Sequence, residues 1–241
     1  MQLKNIKIKY ISHCTFILEY NNTVLITDPY FCGGFEWAGN VETHLDRSPV
    51  RPEDIVKCDY IFVSHEHGDH FDIDAIKTIT AATGAKVIAP QSLCDILVTA
   101  GISEAQLLAA EEEQQFTTGD LSLITLGEHD SSFYEDGICD KYSLVIKTPE
   151  TTIWFSGDNH VVPPNFKNYL PTTVICWTLD KLLEPLQQVC PDLENFIIMH
   201  CDRHEPGKFW CSKNESEEQA RAEKYFPKAK AYALNRIQKY N

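Results

Sequence analysis

The chain has 241 residues and 43% of them are hydrophobic, which is enough to bury a sizeable core without disulfide bonds. Its formal net charge of −14 argues against a general nucleic-acid binder, because affinity for a phosphate backbone depends on Lys and Arg. Nine cysteines are scattered without a C-x-x-C pair, which is typical of reduced thiols in a cytoplasmic protein.

The first predicted elements are strands. Residues 5–28 contain an alternating run, an apolar run and a turn at Asn21, which together predict an antiparallel meander of three strands. The segment 29–52 is rich in glycine and turn residues and has no clear period, so we predict a long loop, a candidate lid. His44 lies in this segment, and we expect it to be exposed.

From residue 60 onward the pattern alternates between strands and helices. Strands are predicted over 60–64, 85–90, 121–126, 142–148, 152–158, 172–178 and 196–200. Helices are predicted over 72–83, 92–101, 179–189 and 215–225. Strands in both halves, with helices between and after them, predict an α/β protein built around two sheets. No linker or repeat interrupts the pattern, so we predict one domain over 1–241.

A dense group of metal-ligand residues follows the predicted strand YIFVS. Within six residues, the cluster H-x-H-x-D-H provides His65, His67, Asp69 and His70. Nitrogen and oxygen ligands on one loop are able to converge on a metal ion. Three later segments also end in ligand residues, namely His129, Asp158 and His200.

This cluster at the end of a hydrophobic strand, with the three later residues, resembles the signature of the metallo-β-lactamase-fold superfamily. The resemblance extends from ISHCTFILE and LITDPYF to His200, and those opening segments are most similar to the L-ascorbate-6-phosphate lactonase-like branch. It implies a four-layer αββα sandwich of two mixed sheets flanked by helices.

The resemblance also implies a binuclear site with two divalent metal ions, Zn²⁺ foremost, with Mn²⁺ or Fe as alternatives. One ion would be held by His65, His67 and His129, and the other by Asp69, His70 and His200. Asp158 would bridge the two ions. Asp69 is also the candidate catalytic proton acceptor, since a carboxylate at the metal edge is within reach of a bound water.

Four further residues are candidates for contact with the substrate or for orienting the ligands, namely His13, Asp28, His160 and His204. Asp28 would accept a hydrogen bond from a ligand imidazole. A satisfied turn histidine and a plain turn residue remain the alternatives for His13 and Asp28. His204 is also the rival of His200 for the last ligand position.

We therefore predict a metallo-hydrolase, lactonase-like or phosphodiesterase-like, in which metal-bound hydroxide attacks a small lactone, ester or phosphodiester. Metal ions reverse the local field, so an anionic small molecule is an acceptable substrate. The alternatives are a nucleic-acid-processing hydrolase, an iron-dependent redox enzyme of the same fold, and a non-enzymatic metal-binding sensor. No nucleic acid or membrane partner is expected, the composition predicts a cytoplasmic location, and the oligomeric state stays open.

Overall fold

The structure, a computed structural model, describes residues 1–37, 39–128, 140–206 and 214–238. The chain divides into two compact units, and each is assembled from separate stretches of sequence. Unit 1 comprises Met1–Ala109, His200–Lys213 and Leu234–Asn241, and unit 2 comprises Ala110–Met199 and Asn214–Ala233. The single domain over 1–241 stays a prediction.

Strands provide most of the regular structure in the described residues. They are β1 (Gln2–Leu3), β2 (Ile6–Ser12), β3 (Thr15–Tyr20), β4 (Thr23–Thr27), β5 (Gly34–Trp37), β6 (Asn40–His44), β7 (Tyr60–Phe62), β8 (Lys86–Ala89), β9 (Leu107–Ala109), β10 (Gln115–Thr118), β11 (Leu121–Gly127), β12 (Tyr142–Lys147), β13 (Thr152–Phe155), β14 (Thr173–Cys176), β15 (Asn195–Ile198), β16 (His204–Glu205) and β17 (Lys230–Tyr232). The α-helices are α1 (Ile73–Thr83), α2 (Gln91–Thr99), α3 (Asp180–Val189) and α4 (Glu215–Tyr225).

Unit 1 is built on a seven-stranded sheet in the order β1-β2-β3-β4-β7-β8-β9. β1 to β4 pair antiparallel, which confirms the meander predicted over residues 5–28. β4, β7, β8 and β9 pair in parallel, and α1 and α2 connect the last three of these strands, as the alternating pattern predicts. Buried side chains of the parallel strands and both helices, including Ile61, Val87, Ile76 and Leu93, share one core cluster.

A small sheet in the order β16-β6-β5 occupies part of the segment predicted as a loop. The prediction of irregular structure throughout 29–52 is therefore wrong for residues 34–37 and 40–44. β6 does alternate in burial, but both of its buried residues are polar and one of its two exposed residues is apolar. Glu42 and His44 are buried, whereas Val41 is 70% exposed. A pattern of hydrophobic residues cannot reveal a strand of this kind.

Unit 2 is built on a second seven-stranded sheet in the order β10-β11-β12-β13-β14-β15-β17. β10 to β13 pair antiparallel, and β13, β14, β15 and β17 pair in parallel. α3 and α4 contact each other, and α4 packs on β15 and β17. Two mixed sheets with associated helices confirm the predicted α/β class. No helix in the described part of the chain is long and apolar enough to cross a membrane.

Candidate metal centre

The ligand-rich loop of unit 1 joins the end of β7 to the start of α1. Asp72 ends this loop as the N-cap of α1, because its carboxylate accepts a hydrogen bond from Ala75 N at 3.0 Å. A second bond, from His70 N to His67 O at 2.9 Å, closes a tight turn inside the loop. The sequence therefore confines its four candidate ligands to one short, anchored segment.

Gly68 lies at the centre of this turn, where β5 approaches closely. A Cβ atom at Gly68 would lie 2.7 Å from Cβ of Phe35, a distance that real Cβ atoms do not tolerate. The ring of Phe35 also makes an edge contact with His204, with the centroids 5.5 Å apart. The small sheet and the ligand-rich loop are therefore packed directly against each other.

The Asp69 cluster, which consists of His13, Asp69, His70 and His200, is the most concentrated group of ligand atoms in unit 1. Asp69 Oδ2 lies 2.9 Å from Nε2 of His13, 3.2 Å from Nε2 of His200 and 3.4 Å from Nε2 of His70. Nε2 of His70 and Nε2 of His200 are 3.2 Å apart. All four residues are at most 2% exposed.

Strained backbone positions deliver part of this cluster. His13 lies between β2 and β3 with φ of 50°, and His200 has φ of 67°. A positive φ is uncommon for residues other than glycine, and strained residues of this kind tend to cluster at functional sites. A hydrogen bond from His200 N to His13 O at 3.3 Å links the two segments.

Asp28 and Ser64 orient two of the candidate ligand imidazoles. The Asp28 carboxylate lies 2.7 Å from Nδ1 of His70 and accepts from both the amide and the hydroxyl of Ser64, each at 2.7 Å. Because the Ser64 hydroxyl donates its hydrogen bond to Asp28, its Oγ accepts from Nδ1 of His65 at 2.9 Å. Protons on both Nδ1 atoms leave the Nε2 lone pairs of His65 and His70 available for a metal ion.

Burial and neighbouring charges set the protonation states of the cluster. Burial alone would raise the pKa of Asp69, but the imidazoles of His70, His13 and His200 hold it well below its usual range. Burial, followed by the neighbouring His200, lowers the pKa of His13 to about 3. Burial raises the pKa of Asp28, and the adjacent His70 opposes this shift. At neutral pH Asp69 is therefore ionised and His13 is neutral.

The other candidates for the first metal ion are only partly described. The rings of His65 and His67 are in edge contact, with the centroids 4.5 Å apart, and His65 lies 4.2 Å from His70. His129 lies outside the described residues. The loop thus brings His65, His67 and His70 together, and the position of His129 stays a prediction.

Asp158 lies in unit 2, just after β13, beyond a turn at Gly157 with φ of 51°. The buried Lys141 ammonium anchors this turn by donating to Asp158 O at 2.9 Å. Lys141 also pairs with the buried Glu128 carboxylate at 3.2 Å. Glu128 in turn accepts from His160 N at 2.7 Å. His160 therefore contacts the Lys141–Glu128 pair that anchors the turn.

His204 has both ring nitrogens in hydrogen bonds within unit 1. Nδ1 faces the carbonyl oxygen of Asp202 at 3.2 Å, so it must carry the proton. Nε2 then accepts from the hydroxyl of Tyr30 at 3.0 Å. Burial, followed by the charge of His44, lowers the pKa of His204, which keeps the ring neutral. The structure therefore brings His200, rather than its rival His204, to Asp69.

The expectation that His44 is exposed is wrong, because His44 is only 2% exposed. Its Nε2 donates to Asp202 at 2.6 Å, and its ring stacks on those of Tyr30 and His204. Asp202 also accepts from Tyr10 at 2.8 Å and pairs with Arg236. Residues distant in sequence therefore build a buried network behind the Asp69 cluster.

Sequence reasoning missed several supporting residues, namely Cys14, Ser64, Lys141 and Asp202. Cys14 adds a sulfur atom 3.9 Å from His70 Nε2. Ser64 was detectable in principle, since it directly precedes the first ligand histidine. Asp202 and Lys141 act on residues far away along the chain, which no local spacing reveals.

The donor set fits a divalent metal ion. Two imidazole nitrogens that face each other across 3.2 Å, with an ionised carboxylate beside both, form an arrangement that a cation stabilises. The carboxylate and hydroxyl behind the histidines are the outer partners that metal-binding imidazoles commonly have. Asp69, His70 and His200 are therefore a suitable ligand set in unit 1.

Comparison with known proteins gives the family. Residues 23–183 match the family described as the Beta-lactamase superfamily domain, and this range is more than half of the chain. The chain therefore belongs to the β-lactamase superfamily, as the resemblance in sequence predicts. The lactonase-like branch stays a prediction.

Among its relatives is the UPF0173 metal-dependent hydrolase of Thermococcus kodakarensis, which is 27% identical over 156 residues. The alignment covers 65% of this chain and 62% of that protein. The matched part of this chain thus spans less than two thirds of the relative. The description of that relative calls it metal-dependent and names no metal.

Solved structures show the same fold. The isothiocyanate hydrolase from Delia radicum gut bacteria superposes with a TM-score of 0.69 and 19% identity, over 94% of this chain and 96% of that one. The metallo-β-lactamase fold protein YhfI from Bacillus subtilis gives a TM-score of 0.59 and 13% identity, over 92% and 88%. At these identities the likeness supports the fold alone.

Proposed function

We propose that this protein is a metal-dependent hydrolase that uses the Asp69 cluster as part of its active site. One observation carries the proposal, namely that Asp69 Oδ2 lies within 3.4 Å of three imidazole nitrogens in a fully buried setting. The description of the Thermococcus relative as a metal-dependent hydrolase supports the same conclusion.

The proposed site is binuclear, which rests on the resemblance of the ligand pattern. One ion would be held by His65, His67 and His129, the other by Asp69, His70 and His200, and Asp158 would bridge them. The orientation of His65 and His70 by hydrogen bonds on Nδ1 supports a metal role for both rings.

When bound, divalent ions would supply Lewis acidity and an acidified water for attack on a carbonyl or phosphoryl group. The side chains of the chain divide the remaining work. Asp28 and Ser64 hold the ligand rings in place. Asp69 Oδ1 has no hydrogen-bond partner among the described residues, so this oxygen is suited to receive a proton from water.

The proposed substrate is a small lactone, ester or phosphodiester. The net charge of −14 argues against a polyanionic substrate, whereas a bound dication accommodates a single anionic group. We also propose a cytoplasmic location and a small-molecule substrate. Zn²⁺ is the proposed metal, with Mn²⁺ or Fe as alternatives.

The direct test is a hydrolysis screen of the protein loaded with Zn²⁺ or Mn²⁺. The panel contains a lactone, a carboxylic ester and a phosphodiester, with an isothiocyanate and single-stranded RNA as substrates outside the proposed class. We expect turnover of one of the first three, abolished by chelation and by Asp69→Ala. Asp59→Ala is the matched control, because the Asp59 carboxylate accepts from Val24 N at 2.8 Å and, within the described part of the chain, forms no hydrogen bond to a residue of the Asp69 cluster. Turnover that survives chelation, or RNA cleavage alone, would contradict the proposal.

A further inference from the structure

A cysteine sulfur lies beside the Asp69 cluster, although the predicted ligand set contains none. Cys14 Sγ is 3.9 Å from Nε2 of His70, and the residue is 0% exposed. Ligand atoms of His13, Cys14, His70 and His200 all lie within 4.8 Å of one another. Sulfur and imidazole nitrogen are the donor pair that zinc favours in proteins.

The distances match those of ligands that share one ion. Nitrogen ligands at 2.0–2.1 Å from a tetrahedral zinc ion lie about 3.3 Å apart, and a sulfur ligand lies about 3.6 Å from such a nitrogen. The corresponding separations here are 3.2 Å between His70 and His200, and 3.9 Å between Cys14 and His70. Both separations are within a few tenths of an ångström of the ideal values, and the ligand atoms of Cys14 and His200 lie within 4.8 Å of each other.

The backbone fixes the position of this sulfur. Cys14 lies in the two-residue turn between β2 and β3, after His13 in its left-handed conformation. The carbonyl of Cys14 accepts from Thr27 Oγ1 at 2.9 Å, and the carbonyl of His13 accepts from His200 N at 3.3 Å. The turn that delivers His13 to Asp69 therefore also delivers the thiol.

A separate observation favours a bound cation in the Asp69 cluster. Asp69 is 1% exposed, yet its Oδ1 atom has no hydrogen-bond partner among the described residues. A buried, ionised carboxylate oxygen without a partner is costly, and a bound cation removes that cost. The thiol and the Asp69 carboxylate both approach Nε2 of His70, Sγ of Cys14 at 3.9 Å and Oδ2 of Asp69 at 3.4 Å.

We propose that Cys14 is a thiolate ligand of the metal ion held by His70 and His200. This inference rests on the proposed metal site and adds a donor to it. On binding, the S–H bond breaks, a sulfur–metal bond forms and the proton leaves to bulk water. A thiolate favours Zn²⁺ over Mn²⁺, so this cysteine selects the metal that the other ligands leave open.

The test uses cobalt as a spectroscopic substitute for zinc in the full-length protein. A cobalt–thiolate bond gives a charge-transfer absorption in the near ultraviolet, which imidazole and carboxylate ligands do not give. We expect this band in the wild type and its complete loss in Cys14→Ser, with cobalt content measured in both. Cys94→Ser is the matched control, since Cys94 is a buried thiol of the same unit that bonds to Ala89 O.

Each outcome has a definite meaning. A band that persists in Cys14→Ser, or cobalt-loaded wild type without a band, overturns the role of Cys14 but leaves the hydrolase proposal standing. Wild type that binds no metal under replete conditions overturns both. We also expect Cys14→Ser to weaken zinc binding by on the order of tenfold or more, with a smaller effect on manganese.

X-ray absorption at the zinc edge of the wild type keeps the inference testable if Cys14→Ser fails to fold. One sulfur scatterer at about 2.3 Å from zinc is the expected result. A first shell made only of nitrogen and oxygen would contradict the inference without recourse to any variant.

Discussion

Single hydrogen bonds to the candidate ligand histidines fix which ring nitrogen of His65 and His70 faces a metal ion. The chain from His65 through Ser64 to Asp28, and the bond from His70 to Asp28, fix one tautomer in each ring. Without them each ring could rotate or move its proton to Nε2, and the metal would have to reverse that change on binding.

Asp28→Asn should therefore weaken metal binding by about 10–100-fold while the fold is retained, because the amide is neutral and accepts fewer hydrogen bonds. Competition against a chelator of known affinity measures this loss. Asp59→Asn should bind metal as the wild type does, because this carboxylate accepts a hydrogen bond from the Val24 amide, away from the candidate ligands. Equal affinities in the two variants would contradict the orienting role of Asp28.

The Asp202 network, which consists of Tyr10, His44, Asp202 and Arg236, should contribute to stability. His44→Ala removes a hydrogen bond to a buried carboxylate and should destabilise the protein by about 1.5–3 kcal/mol in urea unfolding. A change below about 0.5 kcal/mol would mean that Tyr10 and Arg236 satisfy Asp202 without His44.

The same network should respond to acid. Burial alone would raise the pKa of Asp202, but the hydrogen bond from His44, the neighbouring His13 imidazole and the charge of Arg236 hold it below its usual range. A carboxyl with a lowered folded-state pKa contributes stability above its unfolded pKa and loses it as the pH falls through the folded value. The stability difference between wild type and Asp202→Asn, measured with a chelator present, should therefore shrink as the pH is lowered. A difference that grows in acid would contradict this sign.

At the scale of elements, the approach of β5 to the ligand-rich loop requires a glycine. Gly68→Ala would force Phe35 away and should cost about 1–3 kcal/mol of stability, with a parallel loss of metal affinity. Gly33→Ala is the matched control, because its new Cβ would meet only the end of the Arg47 side chain at 3.1 Å. Thermal unfolding and metal titration of both variants test this, and a silent Gly68→Ala would contradict it.

The elements also show what the sequence is able to reveal. The H-x-H-x-D-H loop was detectable because its ligands are contiguous, and α1 because a capping aspartate, an apolar stripe and Gly84 mark its length. β6 was missed because its buried face carries Glu42 and His44. A search for hydrophobic periodicity assigns such a strand to a loop.

Contacts distant in sequence mark the other limit. His44 and Asp202 are separated by 158 positions, and their hydrogen bond depends on the pairing of β6 with β16. Cys14 belongs to no cysteine motif in the sequence, and its candidate role follows from the 3.9 Å distance between its sulfur and Nε2 of His70. Residues that act through tertiary structure in this way need coordinates to be recognised.

At the scale of the whole molecule, the charge of −14 limits the choice of partner. We expect no measurable binding of duplex DNA at physiological salt. Asp and Glu outnumber Lys and Arg by 35 to 21, so the chain has no net positive charge to replace the counterions of the phosphates. Fluorescence anisotropy with labelled DNA measures this. Tight binding that weakens steeply with salt would contradict the small-molecule assignment and favour nucleic-acid processing.

The central claim is that the protein holds divalent metal through the Asp69 cluster. The most direct measurement is elemental analysis of the purified wild type and of Asp69→Ala, giving the identity and number of metal ions per chain. We expect about two divalent ions, with zinc foremost, in the wild type and a marked loss in Asp69→Ala. A wild type without metal under replete conditions, or a variant with undiminished content, would contradict it.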